Sequence, residues 1–124
     1  MTVVLRKAYG GAYCVMSSKH LRGDINYAWP GAEIAVMGPK GAIEVLQSKT
    51  LATFTDSAER EAFVKKSEEE YKDKFANPYS AAKYGYIDDV IEPRNTRFRV
   101  IRALQALATK KDVNPPKKHS NLPL

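Results

Sequence analysis

The run TVVL at 2–5 is apolar and β-branched, which predicts a buried strand. Three more strand-like runs follow: INYAW at 25–29, EIAVM at 33–37 and DDVIE at 88–92. A buried strand needs neighbours on both sides. With so few strands available, 2–5 is expected to come from a larger sheet, and the chain to be the end of something longer. Helical spacing appears elsewhere. Residues 11–19 predict a helix with Ala12, Val15 and Met16 on one face. PKGAIEVL at 39–46 predicts a short helix, with Pro39 suited to its first position. SKTLATFTD at 48–56 reads as a loop. A long helix is predicted over 57–75, where Val64, Glu68, Tyr71 and Phe75 share a stripe. Glu61–Lys65, Glu68–Lys72 and Glu70–Lys74 are spaced for favourable pairing along it. Asn77-Pro78 stops that helix, and 79–85 predicts a helical turn or two closed by Gly85. A last helix is predicted over 95–109, with Val100, Ala103, Leu104, Leu107 and Ala108 on one face. Residues 112–124 hold three prolines and no period, so the folded region is expected to be 1–111 and the rest an extended tail. No internal repeat is visible in the sequence.

Composition narrows the class. The chain has 124 residues, at most one domain, and 44% of them are hydrophobic, enough for a real core. Its net charge is +6, but the basic residues alternate with acids, as in EREAFVKKSEEEYKDK. That pattern reads as a solvated surface, and no aromatic-basic motif of a nucleic-acid reader is present. A single cysteine, Cys14, excludes an internal disulfide and suits a reducing, intracellular setting, expected to be cytoplasmic or, in a eukaryote, the mitochondrial matrix. No secretory signal is expected from MTVVLRKAYGG, and no window is apolar enough for a membrane span.

Candidate chemistry centres on AYGGAYC at 8–14, where a strand runs into Gly10-Gly11 and a helix begins. Helix N-termini present unpaired N–H groups and partial positive charge. Glycine removes the Cβ that would block a ligand's approach. The stretch therefore suits an oxyanion held by backbone donors at Gly10, Gly11 and Ala12. The competing reading is a plain tight turn, since the spacing matches neither a dinucleotide fingerprint nor a P-loop. Cys14 and His20 suggest a nucleophile and base, but six residues along one helix would set them about 120° apart. Asp88 and Asp89, adjacent on a strand, face opposite sides and do not converge. One cysteine and two histidines make no metal cluster. Tyr9, Tyr13, Tyr27 and Trp29 read as core or interface aromatics, with contact to a ring or acyl ligand as the alternative.

The stretches RKAYGGAY, YAWPGAEIAVMG, KFANPYSAAKYGYIDDVIEPRNTR and NPPKKHSNLPL carry a specific resemblance. Across nearly the whole chain, apart from 48–67, the sequence resembles the C-terminal portion of the carboxyltransferase (beta) subunit of biotin-dependent propionyl- and acetyl-CoA carboxylases. The resemblance implies an α/β crotonase-like fold, a superhelix of β-β-α units, here incomplete. It implies transfer of CO2 from carboxybiotin, borne by a carrier protein and not attached to this chain, to the α-carbon of an acyl-CoA. Gly11 and Ala12, with Gly10 beside them, would supply the biotin-side oxyanion hole. Cys14, next to Tyr13, would line the acyl pocket and bear on chain-length preference. The implied partners are acyl-CoA, a biotin carboxyl carrier and biotin carboxylase, the N-terminal half of the subunit and a dimer partner. The isolated chain is expected to be inactive, because half a cleft cannot position two substrates. A decarboxylase or transcarboxylase subunit, and a non-catalytic assembly module, are the alternatives.

Overall fold

The computed structural model describes residues 1–113. Strand β1, Thr2–Val4, is followed at once by β2, Lys7–Tyr9, and by helix α1, Gly10–Val15. A 3-10 turn at Lys19–Leu21 leads to β3, Asn26–Ala28, then β4, Glu33–Ala35, and α2, Pro39–Leu46. Two β-β-α units thus succeed one another, although no repeat shows in the residues. Next come α3, Ser48–Leu51; α4, Ser57–Lys74; α5, Pro78–Lys83; and β5, Asp89–Val90. A 3-10 turn at Pro93–Asn95 opens into α6, Thr96–Ala106.

The strands form two parallel sheets. The first has the order β1-β3-β5, with Val3 opposite Tyr27 and Tyr27 opposite Asp89. The second pairs β2 with β4, Ala8 opposite Ile34. Corresponding strands of successive units pair with each other, so each unit stacks on the last. The core between them is Val4, Ala8, Tyr13, Ala28, Ala32, Ile34, Ala81 and Ile87. Its alanines let backbone layers approach closely, and its few large side chains fill the remaining space.

Local chemistry sets most boundaries. Pro39 takes the first position of α2, where a missing N–H costs nothing. Asp56 caps α4 by accepting from the Ala58 N–H at 3.0 Å. Asn77 serves two helices: its Nδ2 donates to the Asp73 carbonyl at 2.8 Å, and its Oδ1 accepts from the Ser80 N–H at 2.8 Å. Gly85 closes α5 with φ +77.

Four expectations need correction. Residues 48–51 form α3 rather than loop. The first helix ends at Val15, and it buries Tyr13 while Val15 and Met16 are each 70% exposed. Ser17, at φ +63, turns the chain out of the helix, and the Thr2 hydroxyl donates to the Met16 carbonyl to hold that turn. On α4 the ion pair is Lys66–Glu70, at 4.0 Å, and Lys72 reaches across to Glu33 instead of Glu68. Tertiary partners outcompete surface pairs worth a few tenths of a kcal/mol, on the order of 0.3. The α6 face buries Ala103, whereas Leu104 is 54% exposed. The expected tail lies, from residue 114, outside the described residues.

Two contacts tie the layers together and make predictions. The Trp29 Nε1–H donates to Thr96 Oγ1 at 2.8 Å and fastens α6 to the end of β3. Thr96→Val should cost about 1 kcal/mol by orphaning that donor, read as a lower denaturation midpoint in the emission of the chain's single tryptophan. Tyr9 donates to Glu33 Oε2 across the β2–β4 pair. Burial, with that hydrogen bond and the Glu33 charge, pushes the Tyr9 phenol up to about 12. A group protonated longer when folded than when unfolded stabilises fully below its unfolded value. Stability from Tyr9 should therefore be complete below about pH 10 and fade as pH rises towards 12. Tyr9→Phe should flatten that part of a stability-versus-pH curve measured by urea unfolding.

Candidate functional site

Tyr9 ends β2 opposite Ala35, and the very next residue starts α1. The abrupt change needs Gly10, whose φ is +57, in the region where side chains are strained. A Cβ at Gly10 would also stand 2.9 Å from the Val36 carbonyl oxygen. Gly11 differs: a Cβ there would meet nothing within 4 Å. The tight-turn reading therefore describes Gly10, and the open-approach reading describes Gly11. Tyr9, at the cap position, offers no side-chain hydrogen bond to the first turn. Among the described residues, no other segment's carbonyl takes the N–H of Gly11 or Ala12. These donors stand at the C-terminal edge of a parallel strand pair, where open sheets hold their ligands.

A cavity of ≈ 580 Å³ opens there. Gly10, Gly11, Tyr13 and Cys14 form one wall, and Ile34 to Val36 the floor. Phe75, Ala81, Tyr84 and Tyr86 form the far wall. Asn77, which ends α4 and starts α5, places that wall. Lys74 and Lys83 add charge at the lining, each over an aromatic ring, Phe75 at 5.3 Å and Tyr84 at 6.0 Å. Ala12 lines a second recess with β1, β2 and Met16. So four of the five sequence-predicted residues share the main cavity, and Ala12 adjoins it through the backbone.

The sequence reading set His20 aside on the premise that it shared a helix with Cys14. That premise fails, because α1 ends at Val15 and His20 sits on the following 3-10 turn. Both residues line the cavity, yet no hydrogen bond joins them among the described residues. The His20 ring stacks on Tyr86 at 4.6 Å and meets the Tyr13 ring edge-on at 5.8 Å. Sequence spacing held no signal for this, since Tyr86 arrives from a distant turn. Tyr13 is 8% exposed, and its hydroxyl has no partner among the described residues. Burial, with smaller contributions from Cys14 and Tyr86, raises its phenol above the ordinary value. Cys14 is half-buried and packs against the core, as a small apolar residue does.

Asp88 and Asp89 part ways as expected. Asp88 accepts from the Asn26 N–H at 2.7 Å and pairs with Lys19 at 2.9 Å; Asp89 pairs with Arg99. No described helix is long and apolar enough to cross a membrane.

Comparison with known proteins identifies the family and the fold. The model of the Carboxyl transferase domain matches residues 1–122. A Haloferax mediterranei propionyl-CoA carboxylase, carboxyltransferase subunit, is 55% identical over the whole chain, which spans 23% of that relative. The mitochondrial propionyl-CoA carboxylase beta chain of Homo sapiens is 53% identical, with 21% of its length covered. Among solved structures, a transcarboxylase 12S superposes with a TM-score of 0.84 at 47% identity, over 98% of this chain and 23% of that one. A Pseudomonas aeruginosa geranyl-CoA carboxylase beta subunit, 22% identical with a TM-score of 0.67, shares the fold. The fold is the crotonase-like α/β fold of carboxyltransferase beta subunits. With two β-β-α units stacked in parallel and the family's model matched from residue 1 to residue 122, the chain belongs to the carboxyl transferase domain family.

Proposed function

We propose that this chain is the part of an acyl-CoA carboxyltransferase that holds the ureido oxygen of carboxybiotin while CO2 passes to the α-carbon of propionyl- or acetyl-CoA. The observation that carries the reading is that, among the described residues, no other segment's carbonyl takes the N–H of Gly11 or Ala12, with open space at Gly11 beside a cavity. A ureido group fits such a place: its oxygen needs donors, and the largely apolar, aromatic wall suits a ring. Bound carboxybiotin supplies the activated carboxyl group. The Gly11 N–H, with Ala12 N–H next to it, stabilises negative charge building on the ureido oxygen. Gly10 sets the direction of those N–H groups. Cys14 and Tyr13 give the wall its shape and bear on which acyl group is accepted. The partners on this reading are an acyl-CoA, a biotin carboxyl carrier with its biotin carboxylase, the remainder of the subunit and a dimer partner.

The test is a graft. This chain, substituted for the matched 23% of the Haloferax mediterranei relative, should keep transfer of the carboxyl group from biotin to propionyl-CoA. A graft that assembles with no transfer would point to an assembly module instead.

A further inference from the structure

The two walls of the cavity come from elements far apart in the chain, and one carboxylate lies behind both. In the β2–β4 register Lys7 stands opposite Glu33 and Tyr9 opposite Ala35. Residues two apart on a strand share a face, so Tyr9 and Glu33 are diagonal neighbours on one side of the sheet. The Tyr9 hydroxyl donates to Glu33 Oε2. The other oxygen, Oε1, lies 3.9 Å from Lys72 Nζ on α4. A carboxylate accepts at both oxygens, so one side chain serves both donors at once. Among the described residues this is the one ion pair that joins α4 to a strand. Each end of the bridge leads to a wall. Tyr9 is followed by Gly10, where the chain turns, and then by Gly11. Lys72 stands in the last turn of α4, and Lys74 and Phe75 of the far wall follow it. Tyr71, beside Lys72, meets the Phe75 ring at 5.4 Å. Tyr9, Glu33 and Lys72 themselves lie outside the cavity lining.

We propose that Glu33 is a positioning residue, whose carboxylate ties the glycine turn to the end of α4 and so sets the width of the cavity between them. The tie itself stands on the cavity's geometry, whatever ligand enters, and its bearing on carboxyl transfer rests on the oxyanion reading above. A partly exposed ion pair adds little to global stability. It acts instead on where the far wall sits, since a small free energy still moves the balance between a near and a far position several-fold. The tie is serial: Tyr9 holds Glu33, and Glu33 holds Lys72. Breaking either link releases the wall, so the two links cannot act independently.

Cys14 reports that width, because it lines the glycine-side wall and is the chain's single cysteine. Iodoacetamide is the probe, a neutral reagent that a lost lysine charge does not steer. In the 124-residue chain, Lys72→Met and Tyr9→Phe should each raise the rate of Cys14 alkylation about threefold. The double variant should also give about threefold rather than about ninefold. Glu33→Gln, which keeps an acceptor for Tyr9 and loses the ion pair, should match Lys72→Met. Thr96→Val, which weakens the fold from α6, should leave the rate unchanged and so separates wall position from global stability. In the grafted subunit Glu33→Ala should lower transfer about fivefold. If the two single effects multiply, if neither variant changes the rate, or if Thr96→Val raises it equally, the inference fails. Unchanged transfer in Glu33→Ala, with Gly11→Val inactive, also overturns it and leaves the oxyanion reading in place. A Gly11→Val subunit that still transfers removes that reading, and the alkylation rates alone then decide the tie.

Discussion

Gly11→Val should abolish carboxyl transfer in the grafted subunit while leaving its fold intact. A Cβ at Gly11 meets nothing within 4 Å, so the protein has room for the larger side chain. Valine is no worse a helix former than glycine, so the exchange costs no propensity. The space it fills is the approach to the Gly11 N–H, and the ligand oxygen can no longer come within hydrogen-bonding distance. Removal of one oxyanion donor lowers turnover by roughly 10² to 10³. The check is a transfer assay alongside a thermal melt. A grafted Gly11→Val subunit that keeps near-normal turnover would sink the assignment of this site. Gly10→Ala gives the contrast, since it should lose stability through its positive φ and the close Val36 carbonyl.

Gly23→Ala should be the most destabilising small substitution in the chain. A Cβ there would stand 2.1 Å from the Ser17 carbonyl oxygen and 2.8 Å from that of Ser18. Both obstacles are backbone, so relief requires moving the loop itself. The Gly23 N–H also donates to the Ser18 carbonyl at 2.8 Å, and Asn26, fully buried, reaches back to the Gly23 carbonyl. A shift strains both. The expected cost is on the order of 3 kcal/mol, a fall of roughly 10 °C in melting temperature. Gly41→Ala is the control. It lies in α2 with open space around it and should stabilise by up to about 1 kcal/mol. The Gly23 loop carries His20, so Gly23→Ala should also disturb the His20 imidazole signals, whereas Gly41→Ala should not.

Punctuation was legible because it is local chemistry. Pro39, Asn77 and Gly85 act on their own backbone or on neighbours within a few residues, and the elements they bound lie where their spacing put them. The pair Gly10-Gly11 was legible as a turn between strand and helix for the same reason. Periodicity misled where an element was short. Six residues of α1 make under two turns, too few to say which side faces inward. The Gly10 join and the Ser17 turn decided that Tyr13 goes in and Val15 and Met16 stay out.

By itself, then, the order of residues carried the family resemblance, the α/β class, the starts of α2 and α4 and the glycine turn between the second strand and the first helix. Each depends on side chains near one another along the chain, or on a run of residues specific enough to be recognised whole. Tertiary structure alone decided that Gly10 is the conformational glycine and Gly11 the open one, because the Val36 carbonyl that separates them comes from the residue just past β4. It alone brought His20 against Tyr86 and into the cavity with Cys14, and set Tyr9 on Glu33. Tyr9 meets Glu33 only when the second β-β-α unit stacks upon the first, and His20 meets Tyr86 only when the segment after α5 packs against the turn that follows α1.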